Sequence, residues 1–186
     1  MSHIADEKII ELFHRGNRQE EAFRLLVDQY KEKLYWHIRK IVLSHEDADD
    51  VLQNAFVKIW QGLKDFRYEA KLYTWMYRIA TNEAVNFLNE KNRKVFGKSE
   101  EISAYLESTL AGDAYFDGDD IQRELQKAVL QLTERQRLVF NMKYFDDMSY
   151  DDIAEILEVA VGTLKATYHN AVKKIEECMK IADNGL

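Results

Sequence analysis

A chain of 186 residues that is 46% apolar and 12% aromatic can build packed cores in one domain or two small ones. No apolar run approaches the roughly 20 residues of a membrane span, and the start MSHIADEKII lacks the basic-then-apolar order of a secretion signal, so a cytoplasmic protein without membrane insertion is expected. The formal charge of −7 argues against a nucleic-acid partner unless the charge is unevenly placed, because phosphate neutralisation normally supplies much of the affinity.

Seven glycines, no proline and few alternating β-branched runs favour helices joined by short polar turns, an all-α fold. Capping signals mark three helix starts, at Ser44/Asp47, Thr133/Gln136 and Ser149/Asp152, where a hydroxyl accepts an orphaned backbone N–H. With the apolar spacing they predict helices over residues 5–14, 18–42, 45–62, 72–92, 121–131, 134–145, 150–157 and 161–180.

In the third of these, DADDVLQNAFVKIW, Ala48, Val51, Leu52, Ala55 and Ile59 share one face and suffice to pack it. Asp49, Gln53, Phe56 and Trp60 form a neighbouring stripe of acid, amide and large aromatics. That stripe is either a solvated edge of a wide core face or a partner surface, since aromatics beside charges make interface hot spots.

The fourth helix buries Met76, Ala80, Ala84, Phe87 and Leu88, with Tyr73 and Tyr77 alongside. Trp75, Arg78, Asn82, Asn86 and Asn89 line up on the other side. An aromatic ring stacks on an unpaired base, an asparagine pairs with base edges and an arginine holds phosphate, so this row suits single-stranded DNA. Lys91, Arg93 and Lys94 extend a basic end; the alternative is an ordinary solvated face with one exposed tryptophan.

Residues 95–120 carry −6 of the total charge and three of the seven glycines without sustained periodicity, which reads as a flexible acidic linker. The blocks on either side are near neutral, +1 over 1–94 and −2 over 121–186. Its apolar residues Tyr105, Leu106, Tyr115 and Phe116 leave a second reading open, docking in a basic channel of a partner.

The last two helices, joined by a turn at Glu158 to Ala160, match a helix-turn-helix. Val161, Leu164, Tyr168, Val172 and Ile175 make the buried stripe of the second, so Lys165, Ala166, His169, Asn170 and Lys173 face outward. A plain helical hairpin with a polar outer face is the other possibility. The single cysteine, Cys178, allows no internal disulfide, and no ligand spacing suggests a metal or cofactor. His45 with Asp47, Asp49 and Asp50 is the nearest thing to a catalytic cluster, but no nucleophile or phosphate loop accompanies it.

Three segments together resemble a bacterial RNA polymerase sigma factor of the extracytoplasmic-function (ECF) group of the sigma-70 family. DADDVLQNAFVKIW is similar to the core-binding motif of region 2, YTWMYRIATNEAVNFL to the stretch that follows it, and SYDDIAEIL with VGTLK to region 4. The resemblance implies region 2 over residues 1–94, a linker over 95–120 and region 4 over 121–186, with no catalysis of its own.

It also implies roles. Asp47, Asp49, Asp50, Gln53, Phe56 and Trp60 would hold the clamp coiled coil of the polymerase largest subunit. The loop from Phe66 to Tyr73, including Lys71, with Trp75, Arg78, Ile79, Asn82 and Asn86, would recognise and melt the minus-10 element. Phe66, Ile79 and Asn82 would stand at the pocket for a flipped base. Gly162, Thr163, Lys165, Ala166, His169, Asn170 and Lys173 would meet the minus-35 element, while earlier region 4 helices would meet the polymerase flap. The linker would thread the RNA exit channel, and an anti-sigma protein is an expected partner. Arginines common in the family are absent at Thr167, Asn170 and Val172, so amide and apolar base contacts are expected from this helix. A helix-turn-helix regulator that binds duplex DNA without polymerase is the competing function.

Overall fold

The computed structural model describes residues 5–67, 69–91, 93, 108–109 and 120–183. Its main elements are eight α-helices and one π-helical turn, and no strand occurs among the described residues. The linker expected over 95–120 lies outside the described residues apart from Ser108, Thr109 and Asp120, as do Tyr68 and Lys94.

The first four helices are α1 (Asp6–His14), α2 (Gln19–Val42), α3 (His45–Leu63) and α4 (Leu72–Lys91). Leu43 ends α2 in the left-handed region at φ 62°, its N–H returning to the Arg39 carbonyl at 2.9 Å. This tight reversal lets Ser44 start α3 at once, its hydroxyl accepting from Asp47 N–H. Leu26, Leu34, Ile38, Ala48, Val51, Ile59, Met76 and Ala80 recur at helical spacing on facing sides of α2, α3 and α4 and fill the core between them. Phe13 of α1 and Phe23 of α2 pack edge-on against Trp60 of α3, with ring centroids 5.3 and 5.0 Å away.

The second block holds α5 (Asp120–Leu130), α6 (Glu134–Phe140), a π-helical turn (Asn141–Phe145), α7 (Tyr150–Leu157) and α8 (Val161–Asp183). Thr133 and Gln136 close a full capping box at α6, and Ser149 caps α7. The helix expected over 134–145 is therefore α-helical only to Phe140. Beyond it the Asp146 N–H reaches back five residues to the Asn141 carbonyl at 3.1 Å, the mark of a π turn. Ala128, Val129, Leu132, Phe140, Ala171 and Ile175 make a core of this block's own.

The two blocks also pack on each other. Leu138, Val139, Met142, Met148, Ile153 and Ile156 join the core that α2 and α4 build. Polar contacts cross the same boundary: Asp146 meets His37 at 2.7 Å and also Lys40, and Asn141 Nδ2 donates to the Lys40 carbonyl at 3.2 Å. Burial of the Asp146 carboxyl pushes its pKa up, but the hydrogen bond and charge of His37, with Lys40, outweigh that and hold it below the ordinary carboxylate range.

Candidate polymerase and promoter surfaces

The acidic stripe of α3 runs along its outer edge. Asp50 and Gln53 are exposed, while Asp47, Asp49, Phe56 and Trp60 are half-buried. Asp47 pairs with Lys91 at 2.7 Å, tying the start of α3 to the end of α4, and Asp49 lies 3.6 Å from His45. Phe56 leans edge-on against Phe23 at 6.1 Å. Trp60 belongs to the aromatic cluster of α1 and α2, so it supports the stripe from beneath as much as it contributes to it. Among the described residues no three His, Cys, Asp or Glu side chains gather as a metal site.

The α4 row divides into an open half and a covered half. Asn82, Asn86 and Asn89 are exposed. Trp75 lies against Gly62 of α3 so closely that a Cβ there would meet its ring carbon Cζ2 at 2.9 Å, and the Phe66 ring lies tilted against it, its centroid 5.2 Å away. Gly62 is a positioning residue that spacing alone passed over; an isolated glycine inside a helical pattern was the available signal.

Phe66, Trp75 and Arg78, with Asp65, Arg67, Glu69 and Ala70, line an open cavity of about 450 Å³. Ile79 and Asn82, expected at a base pocket with Phe66, do not line it. Ile79 packs against the core and Asn82 stands one turn beyond Arg78 in solvent. Tyr73 is half-buried, its ring 4.6 Å from that of Tyr77.

The cations of this face are already matched by α7 and its C-cap residue. Lys71 Nζ donates to Asp152 at 2.9 Å, while Arg78 stands 3.2 Å from Glu158 and 3.9 Å from Glu155. The hydrogen bond and charge of Asp152 raise the Lys71 pKa. Burial pushes Asp152 up, but hydrogen bonds from Ser149 and Lys71 outweigh it and hold the carboxyl low. Glu158 makes its contact from the left-handed region at φ 54°, which disfavours any residue with a Cβ.

On α8, Gly162, Thr163, Lys165, Ala166, His169, Asn170 and Lys173 are all exposed, one continuous outer face. Leu164, Ala171 and Ile175 carry the buried side, with Tyr168 and Val172 half-buried. Nothing stands within 4 Å of where a Gly162 Cβ would lie, so the helix start is open to close approach. Lys165 Nζ sits 5.8 Å from the centre of the Tyr150 ring.

The family model described as "Sigma-70 region 2" matches residues 26–94, and that described as "Sigma-70, region 4" matches 122–175. The RNA polymerase sigma-H factor of Pseudomonas aeruginosa is 30% identical over 185 residues, covering 94% of each chain. The ECF RNA polymerase sigma factor SigW of Bacillus subtilis is 28% identical, covering 94% of this chain and 96% of its own. Among solved structures, CnrH in complex with the cytosolic domain of CnrY shares the fold at a TM-score of 0.69, with 21% identity over 96% of this chain and 99% of that one. The sigma factor RpoE of Bartonella quintana, solved with the anti-sigma factor NepR, does so at 0.66 and 21% identity, over 86% of this chain and 97% of that one. Two regions matched in order along one chain, with relatives that span nearly its whole length, show that the protein belongs to the ECF sigma factors of the sigma-70 family, which direct RNA polymerase to promoters.

Proposed function

We propose that the chain divides its work as region 2 over residues 1–94, a linker over 95–120 and region 4 over 121–186. Asp47, Asp49, Asp50, Gln53 and Phe56, supported by Trp60, dock on the clamp coiled coil of polymerase. The acids suit a basic partner, and the aromatics supply the desolvated centre of the interface. The early helices of region 4 meet the flap.

At the minus-10 element, Lys71 and Arg78 hold phosphates and Trp75 stacks on a base, while Asn82 and Asn86 read base edges along α4. Phe66, with Tyr73 and Ile79 behind the face, shapes the ground for a flipped base. The observation that carries this reading is the cavity of about 450 Å³ walled by Phe66 and Trp75 with Arg78 among its lining. Taking a base from the stack costs a few kcal/mol, and a pocket with an aromatic wall and a cation recovers that through stacking and charge.

At the minus-35 element, the amides near Gly162 and Thr163 hold a phosphate. Lys165, Ala166, His169, Asn170 and Lys173 meet the groove, more through amide and apolar contacts than through guanine-reading arginines. Polymerase tethers this weak reader beside its element and raises its effective concentration. The protein works in the cytoplasm by binding alone, without a reaction of its own. Structural relatives solved with CnrY and with an anti-sigma factor support a similar protein partner that holds it inactive.

The test separates the surfaces. Asp49→Lys abolishes transcription because the protein no longer co-elutes with core polymerase. Asn82→Ala leaves co-elution intact and reduces open-complex formation, read by permanganate footprinting, by about tenfold, the size of one lost base contact of 1–3 kcal/mol. Equal loss of co-elution in both variants contradicts the assignment.

A further inference from the structure

We propose that the large cavity bounded by α2, α4 and the π turn is a binding site for a nucleoside phosphate, with the base stacked on Tyr144 and the phosphates held by Lys33 and the Tyr77 hydroxyl. Lys33, Tyr77 and Tyr144 stand at none of the promoter contacts, so the site does not rest on that reading.

The cavity measures about 800 Å³, within the range of small-molecule pockets, roughly 300–1,000 Å³. Lys33, Trp36 and Lys40 recur at i, i+3 and i+7 along one side of α2 and give it one wall. Tyr77 of α4 gives a second. Tyr144 and Phe145, which end the π turn, and Asp146 just after it give a third. A π turn departs from regular helical bonding and is frequent where a protein builds a functional site.

Tyr77 supplies a donor that lacks an acceptor. Its side chain is only 4% exposed, with its ring packed on those of Tyr73 and His37 at centroid distances of 4.6 and 4.8 Å. Among the described residues its hydroxyl nevertheless makes no hydrogen bond. A buried phenol ordinarily finds a partner, because an unmade bond there leaves the desolvation of the group uncompensated. Burial, and after it the charge of Asp146, push the Tyr77 pKa up, so the group remains an O–H donor at neutral pH.

Tyr144 supplies a stacking surface. Its ring lies 5.1 Å from that of Phe140 at an interplanar angle of 13°, and Phe140 lies 6.0 Å from Tyr168 at 17°. The three-ring stack ends at Tyr144, which is 55% exposed and lines the cavity. A ring so placed takes the π-face of any base. Trp36, half-buried, adds a second aromatic surface from α2.

The charges favour an anion. Lys33, Arg39 and Lys40 line the cavity against Glu32 and Asp146, and Asp146 is already matched by His37 and Lys40. Lys33 is exposed and makes no ion pair among the described residues. A purely apolar ligand would leave Lys33 and the Tyr77 hydroxyl unsatisfied, and an anion without a ring would leave Tyr144 bare. A nucleoside phosphate meets all three. Since it touches both helical blocks, it binds only where they meet and stabilises the folded chain by mass action.

The test is calorimetric titration of the free full-length protein with ADP and GDP, and with adenosine and pyrophosphate as the separate halves of the ligand. Both diphosphates are expected to bind saturably at one site, and each half at least about tenfold more weakly, since it makes only part of the contacts. At a hundredfold excess over Kd, ADP should raise the thermal midpoint by about 5 °C. Tyr77→Phe keeps the ring and should weaken ADP binding about fivefold, the size of one hydrogen bond. Tyr144→Ala should weaken it about tenfold through the lost stack. Lys33→Glu should weaken ADP while leaving adenosine unchanged. Circular dichroism checks that each variant keeps its helix content. Absence of saturable binding at millimolar ADP overturns the proposal, as does pyrophosphate binding as tightly as ADP, which would make the site a plain anion patch. ADP affinity unchanged in both Tyr77→Phe and Lys33→Glu overturns it as well, by placing the ligand elsewhere.

Discussion

Two helices proposed to meet promoter DNA present themselves differently. On α8 the row from Gly162 to Lys173 stands open, with seven residues in solvent and the apolar side turned into a core of the second block. On α4 the asparagines are open, but Lys71, just before the helix, is matched to Asp152 of α7, and Arg78 to Glu158 at the C-cap of α7. The contrast separates two properties that a face can have. Which residues point outward follows from helical period; whether they are available is decided by what the rest of the chain lays over them.

Acid should produce the largest change in this contrast. Asp146 and Asp152 are held below their ordinary values in the folded protein. For a depressed carboxyl, the stabilising contribution is present above the unfolded pKa, about 4, and is lost as pH falls through the folded value. The groups facing Asp146 are His37 and Lys40 of α2 and Tyr73 and Tyr77 of α4; Lys71 and Ser149 face Asp152. The packed arrangement of the two blocks is therefore expected to persist at neutral and mildly acidic pH and to expand below about pH 4. Scattering across a pH series reads it, and Asp146→Asn should lose most of that step. A transition centred well above pH 4 would place its cause elsewhere than in these carboxylates.

A smaller effect is expected on the open face. Lys165→Ala and Lys173→Ala should each weaken promoter binding by the polymerase complex almost uniformly across sequences, and lower the slope of log affinity against log salt by about 1. Filter binding at several salt concentrations measures this. A change in sequence preference without a change in salt slope would make these lysines base readers.

Smallest of all is Glu158→Gly. It removes about 1 kcal/mol of left-handed strain and gives up an ion pair in which Glu158 is 75% exposed, a pair worth at most about 1 kcal/mol. The thermal midpoint should move by no more than about 4 °C in either direction. A larger fall, seen by calorimetry, would mean that the Glu158–Arg78 contact holds the blocks together far more strongly than an exposed pair does.

Most of the helices were legible because the signals are local. Ser44, Thr133 and Ser149 each cap the helix that their spacing marked, and α7 spans the expected residues. The π turn was not legible, because Asn141 to Phe145 continue an acceptable helical pattern and the extra residue is absorbed only when Asn141 and Asp146 find partners on α2. The outward row of α8 followed from period alone. The covered half of α4 did not, because its cover is more than 70 residues away in sequence. Buried polar side chains on apolar faces, His37 and Thr81 among them, were the one trace of it, and a single sequence does not say which distant group satisfies them.

Transcription in vitro tests the central claim most directly. Core RNA polymerase, this protein and genomic promoter fragments are combined, and initiation is compared with core enzyme alone. The protein is expected to co-elute with core polymerase, to bind free duplex weakly, and to confer initiation at a defined set of start sites. Strong sequence-specific binding to duplex DNA without co-elution and without initiation would contradict it.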